Sequence, residues 1–461
     1  MRAKLQALRA HLDETLFPAA RPSVSTLNRW QLSLIVGALL AIAVVLQLAR
    51  LGWSASLNSL WAEDGPIYMQ EALSQDFWHA VVSTYATYLV VVPRLIAELA
   101  SLAPLREAPA AVSILSGLVV GLGGLAVWNA SAAHVRNPYL RGTLVALTVL
   151  CPVAGLESLD SAAYVPWYML FASFWLLLWR PATLWGAGLG GLFILLTGLS
   201  TPGLWFFAPL AGLRALAVRD RRDAILVGSY AIGAAVQIPV LALTTETAVK
   251  PLWTGDIWAV FLQRVVNGAP FGLRGGGNAW SHFGWPFLIA ITAIAIVALA
   301  YGFHRSARGA RYLAAIAILT SLAMFVVSLY QRAVGVQMLW PEGAFNGSGS
   351  RYAIVPALLL VSAALVLLES AQRKRSLRPR WLPWPSMAAV TVLAAAIVVS
   401  FWARDLQTRG TPPWDAALDQ AARVCEAEGV PDTAVPTSPT PFGIQLSCEE
   451  VVEESDGVAH R

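Results

Sequence analysis

Residues 31–51 read QLSLIVGALLAIAVVLQLARL and form the first long apolar run of the chain. A run of about 20 apolar residues is long enough to cross a bilayer as a helix, and it exceeds the apolar core of a signal peptide. We therefore predict an uncleaved membrane helix. Residues 1–30 carry more basic than acidic side chains, which predicts a cytoplasmic N-terminal segment. The basic residues are Arg2, Lys4, Arg9, Arg21 and Arg29.

The composition extends this prediction to the whole chain. Hydrophobic residues make up 57% of the sequence, charged residues make up 13%, and the mean hydropathy is +0.60. Soluble domains carry about 25% charged residues, so this balance is typical of an all-α polytopic membrane protein. The net charge of +5 lies in short clusters between apolar runs. It therefore indicates membrane orientation rather than nucleic-acid binding.

Apolar runs recur along residues 31–403 and predict about eleven transmembrane helices. The predicted helices lie near residues 31–51, 110–130, 142–156, 164–179, 183–200, 203–218, 223–243, 286–303, 311–330, 351–369 and 385–403. Basic clusters at Arg180 and at residues 219–223, 304–311 and 372–380 then fall on one side of the membrane. This positive-inside pattern predicts a cytoplasmic N-terminus and an exterior C-terminus.

The same topology places outside the membrane the loops 52–108, 243–285 and 331–350 and a tail at 404–461. The tail holds Cys425 and Cys448. Two cysteines in one short exterior segment fit a disulfide in an oxidising compartment. Two free thiols are the alternative, because spacing alone does not fix the pairing.

Residues 85–105 are apolar on average but contain Arg94 and Glu98, four residues apart. Two ionisable residues inside a span are costly, whereas a helix lying on the outer membrane surface keeps both in water. We therefore expect a surface helix. A true span with an internal Arg–Glu pair is the alternative.

Two adjacent carboxylates, Glu63 and Asp64, lie in the first exterior loop within the sequence Trp61-Ala-Glu-Asp-Gly65. Adjacent like charges tend to raise the pKa of one partner, and a carboxylate with such a pKa can act as a general base. The alternative is a solvated loop with ordinary surface charges. Later exterior loops carry groups that could hold a phosphate. These groups are Lys250, Arg264, Arg274, His282, Arg332 and Arg351.

The layout of the chain and the Trp61–Gly65 motif resemble the GT-C class of membrane glycosyltransferases. The motif, the segment from Tyr88 to Glu98 and Ser350-Arg351-Tyr352 resemble more narrowly a group of actinobacterial multi-span proteins. The class resemblance implies an enzyme of the plasma (inner) membrane that moves a sugar from a polyprenyl-phosphate carrier to a glycan or lipid acceptor outside the cell. It also implies Asp64 as the catalytic base and Glu63 as its partner. Arg94 and Tyr88 are further candidates for substrate binding.

Some members of the class use a divalent metal, so Mg or Mn is a possible cofactor by resemblance. Asp76 and His79, three residues apart, are weak candidates for metal ligands, because the sequence holds no dense ligand cluster. A multi-span transporter or a flippase for lipid-linked sugars is the alternative function, since many spans and an internal Arg94–Glu98 pair also fit a substrate pathway. A scaffold that binds partners through its tail is a third possibility.

Overall fold

The computed structural model describes residues 2–19, 28–243, 256–332, 338–340, 349–373, 384–402 and 412–459. Among these residues, six helical stretches are long and apolar enough to cross a membrane, and the all-α polytopic class is confirmed. The six stretches are Arg29–Leu51, Leu105–Ala133, Arg221–Ala242, Asp256–Arg305, Arg308–Gln331 and Arg351–Arg373. Three shorter apolar stretches are Ala162–Leu178, Leu184–Gly198 and Trp384–Val399.

The elements follow one another in this order. The first half contains α1 (Arg2–Thr15), α2 (Arg29–Leu51), α3 (Trp53–Leu57), α4 (Gln70–Ser74), α5 (Phe77–Val82), β1 (Thr84–Tyr85), β2 (Tyr88–Leu89), α6 (Val91–Ala100), α7 (Ala108–Ala130), α8 (Pro138–Val149), α9 (Val165–Leu178) and α10 (Leu184–Gly198). The second half contains α11 (Ala208–Ala217), α12 (Arg221–Leu243), α13 (Asp256–Phe261), α14 (Gly268–Arg305), α15 (Arg308–Arg332), α16 (Arg351–Arg373), α17 (Trp384–Val399), α18 (Trp414–Glu428), β3 (Asp432–Pro436), β4 (Gly443–Ser447) and α19 (Cys448–Ala459).

Helix α9 lies at the centre of the helical domain. Its sequence, VPWYMLFASFWLLL, is apolar on every face, and nearly all of its side chains are buried. A helix without a polar face has to be surrounded by other helices, and α9 packs against α7, α10 and α16. The largest hydrophobic core of the described residues forms around it.

Two of the predicted spans are shorter in the structure. Helix α8 ends at Val149 rather than near residue 156, because Pro152 follows and the residue before a proline disfavours the helical conformation. The predicted span at 203–218 is a 3₁₀ turn followed by α11, whose 10 residues extend for about 15 Å. That is half the thickness of a bilayer core of about 30 Å. The predicted number of eleven spans is not confirmed.

The long exterior loop expected at 243–285 is helical from Asp256 onward. A π-helix at Leu262–Asn267 connects α13 to α14, and α14 is kinked at Gly272 and Gly284, where φ is +69° and +54°. The glycines of this stretch are typical of a flexible loop when the sequence is considered alone. In the structure they serve helix bending and close packing, since a Cβ at Gly276 would overlap the buried ring of Trp340.

Segment 52–108, which was predicted to lie outside the membrane, folds into several short elements, and residues 85–105 do not form one surface helix. Helix α6 has 10 residues and is about 15 Å long, too short to cross the bilayer. The expectation that Arg94 is in water is wrong, because its side chain is only 1% exposed. Arg94 forms an ion pair with Glu71, not with Glu98, and donates to the carbonyl of Ala80 at 2.9 Å. A buried arginine needs such partners, which the sequence spacing does not reveal.

The C-terminal module, residues 412–459, is folded. Helices α18 and α19 pack on the antiparallel pair β3–β4, and a disulfide joins Cys425 to Cys448. Apolar side chains of the module share one buried core with α6, α7 and the segment around Tyr68. The module is therefore packed directly on the segment that carries the two carboxylates.

Candidate functional site

A cavity of about 600 Å³ opens where segment 52–108 meets the helical domain. Its walls come from the β1–β2 hairpin, the turn after α10, the end of α12, the end of α15 and the start of α16. The lining is rich in aromatic side chains: Tyr68, Tyr85, Tyr88, Tyr164, Trp167, Trp205, Phe206 and Tyr352. Its charged lining residues, among those described, are Glu63 and Arg351.

Glu63 faces this cavity from a 3₁₀ turn at Ala62–Asp64. Its two carboxylate oxygens accept hydrogen bonds from different tyrosines. The hydroxyl of Tyr85 donates to Oε1 at 3.2 Å, and the hydroxyl of Tyr164 donates to Oε2 at 3.2 Å. Glu63 is therefore oriented from two sides while its carboxylate remains on the cavity wall.

Asp64 has the opposite environment. Its side chain is 1% exposed and does not line the cavity. Its carboxylate accepts the backbone N–H of Ala163 at 2.9 Å and that of Ala162 at 3.2 Å. These are the free N–H groups at the start of a helical turn, which a carboxylate satisfies well. Asp64 thereby joins residues 60–65, which we call the acid segment, to the loop that precedes α9.

Arg351, the first residue of α16, brings a positive charge to the same cavity. Its guanidinium donates from Nη1 to Glu157 at 2.9 Å and lies 3.4 Å from the hydroxyl of Tyr164. The guanidinium also lies over the rings of Tyr164 and Tyr352, at 5.2 and 4.8 Å from their centroids. Such contacts hold a cation in place while leaving further donors for an anion.

The sequence-based prediction missed Glu157, as well as Tyr85 and Tyr164, which contact Glu63. The Oε1 atom of Glu157 accepts from the backbone N–H of Arg351 at 3.1 Å, and its Oε2 accepts from the side chain of Arg351. The Ser350 hydroxyl contacts the same carboxylate at 3.3 Å and also binds the loop at Gly155. A signal was present in the sequence, because Glu157 and Asp160 are two acids between two predicted spans on the exterior side.

The other predicted substrate-binding residues are scattered. Tyr88 lines the cavity, whereas Arg94 is buried behind it against Glu71 and the ring of Tyr68. Arg274 and His282 are exposed on α14 and do not line the cavity. Arg264 is fully buried and donates to the carbonyl of Met338 at 2.6 Å. Lys250 and the side chain of Arg332 lie outside the described residues.

Tyr68 combines burial with a position on the cavity wall. Burial, with a smaller contribution from Tyr88, raises the pKa of the Tyr68 hydroxyl well above its usual value. A phenol with a raised pKa keeps its proton at neutral pH. Tyr68 can therefore donate a hydrogen bond but cannot act as a base.

The residues expected to hold a metal do not form a metal site with the two carboxylates. Asp76 caps the start of α5 and pairs with the ring of His79, and both side chains are exposed and away from the cavity lining. The hydrogen bond from His79 lowers the pKa of Asp76. Within the described part of the chain, no group of three or more His, Cys, Asp or Glu side chains could hold a metal ion.

Comparison with known proteins gives matches to solved structures. Neither a family model nor a curated protein sequence matches the chain. It is similar to the oligosaccharyltransferase AglB of Archaeoglobus fulgidus with an inhibitory peptide and a dolichol-phosphate, at 14% identity over 90% of this chain and 62% of that chain, with a TM-score of 0.43. A structure of the oligosaccharyltransferase of that organism with Zn and sulfate matches at 15% identity over 92% and 57%, with a TM-score of 0.38.

A third similar structure is ArnT from Cupriavidus metallidurans bound to undecaprenyl phosphate. It is 13% identical over 93% of this chain and 88% of that chain, with a TM-score of 0.47. The chain spans about three fifths of the oligosaccharyltransferase chains, whose coverage is 62% and 57%. At these TM-scores the folds correspond loosely, so the chemistry has to be inferred from the residues of this chain.

Proposed function

We propose that the chain is a membrane glycosyltransferase that moves a sugar from a polyprenyl-phosphate carrier to a cell-envelope acceptor on the outer face of the plasma membrane. The observation that carries this proposal is one cavity that presents both Glu63 and Arg351, with the Tyr164 hydroxyl in contact with each. A carboxylate and a guanidinium on one cavity supply the proton acceptor and the phosphate partner that the transfer needs. A volume of about 600 Å³ suits a ligand of the size of a sugar phosphate.

The two carboxylates have different proposed roles. A general base must come within hydrogen-bond reach of the proton that it removes, and Glu63 faces the cavity. Asp64 is enclosed by the backbone N–H groups of Ala162 and Ala163. We therefore assign the base to Glu63 and a positioning role to Asp64, which reverses the preference that the sequence resemblance implies.

In the proposed reaction, the acceptor hydroxyl loses its proton to Glu63 as its oxygen attacks the anomeric carbon of the sugar. The bond between that carbon and the phosphate oxygen breaks, and the electron pair stays on the polyprenyl phosphate. Arg351 stabilises the negative charge that develops there. Glu157 holds Arg351 through its backbone and its side chain, so it fixes where this charge is received.

The remaining lining supports a substrate with a sugar and an apolar chain. The tyrosines and tryptophans of the wall offer flat apolar faces with polar edges, which suit the two kinds of surface on a sugar ring. Leu241 at the end of α12, and Met324 and Val327 on α15, form an apolar wall beside them. A polyprenyl chain would lie along such a wall.

The exterior location of the cavity is supported by the direction of helix α12. This helix contributes Leu241 to the cavity near its end and begins with Arg221 and Arg222. Arg221 and Leu241 are separated by about 30 Å at the helical rise per residue. Arginine-rich ends favour the cytoplasm, which leaves the cavity on the outer side.

The test uses the full chain reconstituted in vesicles that contain polyprenyl phosphate with a radiolabelled sugar. The proposal expects label to be transferred to an added acceptor while polyprenyl phosphate is released. Movement of the intact labelled lipid between leaflets, without cleavage of the sugar–phosphate bond, would instead establish a flippase. If the label is neither transferred nor moved between leaflets, both the glycosyltransferase and the flippase function are contradicted.

A further inference from the structure

The C-terminal module contacts the acid segment through backbone hydrogen bonds on both sides of Trp61. The N–H of Ser438 donates to the carbonyl of Leu60 at 3.0 Å, and the N–H of Ala62 donates to the carbonyl of Ser438. Together these bonds form a parallel bridge between Trp61 and Ser438. Ser438 is fully buried in this contact. The module therefore pairs with the acid segment as a neighbouring strand would.

The bridge holds a backbone conformation that is unfavourable by itself. Ala62 has a φ of +45°, in the left-handed region where a residue with a Cβ is strained. Strained residues persist where surrounding contacts hold them, and Ala62 is bonded directly to Ser438. Because Ala62 immediately precedes Glu63, its φ sets the direction in which the Glu63 side chain leaves the backbone.

A second contact lies on the other side of the two carboxylates. Gly65 follows Asp64, and a Cβ placed on Gly65 would lie 2.7 Å from Cγ2 and 3.3 Å from Cβ of Thr437. Thr437 is itself buried, so its side chain has little room to move. Gly65 has a negative φ of −81° and precedes Pro66, so an alanine there would be opposed by Thr437 and also by the proline ring.

Three further bonds anchor the module beside the segment. Trp414 donates its backbone N–H to the carbonyl of Asn58 at 3.0 Å, and Gln445 donates its N–H to the side chain of Gln70 at 2.6 Å. Arg106 and Asp419 form an ion pair at 2.6 Å. These contacts extend from just before the acid pair to α7, so the module and segment 52–108 form one packed unit.

We propose that the C-terminal module is a positioning element for Glu63: Ser438 and Thr437 fix the backbone before and after the carboxylates, and this sets the turnover rate. This inference rests on the proposed function. It assigns Thr437 a role through Glu63 and places no atom of the module in contact with the substrate. The module thus serves the reaction without lining the cavity.

The test is a double-mutant cycle on the full chain in vesicles, read as kcat and as KM for the lipid donor. Gly65→Ala forces Thr437 against the segment, and we expect kcat to fall by about tenfold or more, since small displacements of reacting groups are costly. KM and the amount of folded protein should hardly change. Thr437→Ala removes the side chain that packs beside Gly65, so it should lower kcat several-fold with little change in KM. The double variant Gly65→Ala/Thr437→Ala should have a higher kcat than Gly65→Ala. An unchanged kcat in Gly65→Ala, or no recovery in the double variant, would overturn the proposal.

A cross-link tests the contact without any activity measurement. The 3.3 Å between the Cβ positions at 65 and 437 is close to the Cβ separation of about 3.8 Å in disulfides. Gly65→Cys/Thr437→Cys should therefore form a disulfide on mild oxidation, detected as joined peptides by mass spectrometry. The control pair Gly142→Cys/Thr437→Cys should form none, because no atom of the described residues lies within 4 Å of a Cβ at Gly142. An absent link at 65–437 contradicts the close contact between Gly65 and Thr437 and, with it, the positioning role of the module.

The two experiments separate the proposals. A cross-link in a chain whose natural form transfers no sugar would refute the glycosyltransferase function and, with it, the role in turnover. A natural chain that transfers sugar, with no recovery in the double variant, would refute the positioning role alone.

Discussion

The cavity and the turn between α11 and α12 both gather charged residues, but the charges are arranged differently. In the turn, Arg222 donates to Asp220 at 2.8 Å, and Arg214 donates to Asp223 at 2.6 Å, so charges are neutralised by near neighbours in sequence. At the cavity, Glu63 accepts hydrogen bonds from two tyrosines, and Arg351 is paired with Glu157.

This difference separates charges that stabilise the fold from charges that can serve a substrate. The pairs in the turn close on themselves, and Asp220 has a lowered pKa because Arg222 donates to it. The carboxylate of Glu63 and the guanidinium of Arg351 are instead kept apart, with the Tyr164 hydroxyl in contact with both. A substrate that enters the cavity meets both charges at once.

We expect the largest effect when the same substitution is made in the cavity and in the turn. Arg351→Lys removes the planar donors that match a phosphate, and we expect kcat for sugar transfer to fall by about 10²–10³-fold. Arg222→Lys changes an arginine of the turn in the same way and should leave kcat unchanged. Single-turnover transfer in reconstituted vesicles measures both. Similar losses in the two variants would show that the cavity arginine has no special role.

Tyr164→Phe removes the hydroxyl that contacts both cavity charges. Glu63 retains its bond from Tyr85, so we expect a moderate loss of kcat, about tenfold, which corresponds to one hydrogen bond. KM for the donor should change less. Tyr139→Phe, on an exposed tyrosine at the start of α8, is the matched control. Full activity in Tyr164→Phe would show that this hydroxyl has no role in sugar transfer.

The smallest effect concerns stability and leaves activity unchanged. Burial lowers the pKa of His134 from 6.5 to about 4, so the unfolded chain takes up a proton at a higher pH than the folded chain. Neutral His134 contributes its full stabilisation above the pKa that it has in the unfolded chain. This stabilisation is lost as the pH falls toward the pKa that it has in the folded chain. Between pH 7 and 5 we expect the free energy of unfolding of the natural chain to fall by about 2 kcal/mol more than that of His134→Phe. Thermal unfolding in detergent at the two pH values checks this, and equal losses would contradict it.

The sequence predicts the helical domain because hydropathy acts locally. The long apolar runs at 31–51, 311–330 and 351–369 correspond to α2, α15 and α16 within a few residues. The helical structure of the glycine-rich first half of α14 could not be predicted, because the close packing of Gly276 on Trp340 depends on residues far along the chain. Local propensity favours a loop there, and tertiary packing overrides it.

The acid pair could be located from sequence, but the roles of its members could not. Glu63 and Asp64 are neighbours with the same chemistry, and their difference comes from Tyr164 and Ala162, which lie 101 and 98 residues away. The contact with Ser438 is more distant still. No pattern along the chain encodes which carboxylate is enclosed and which faces a cavity.

We propose that Glu63, and not Asp64, removes the proton of the acceptor hydroxyl. The direct test compares Glu63→Gln, Asp64→Asn and the natural chain in single-turnover transfer from labelled polyprenyl-phosphate sugar, normalised to folded protein. We expect Glu63→Gln to lose transfer by about 10²–10⁴-fold and Asp64→Asn to retain a much larger share per folded molecule. Near-natural transfer by Glu63→Gln, together with a greater loss in Asp64→Asn, would contradict the account.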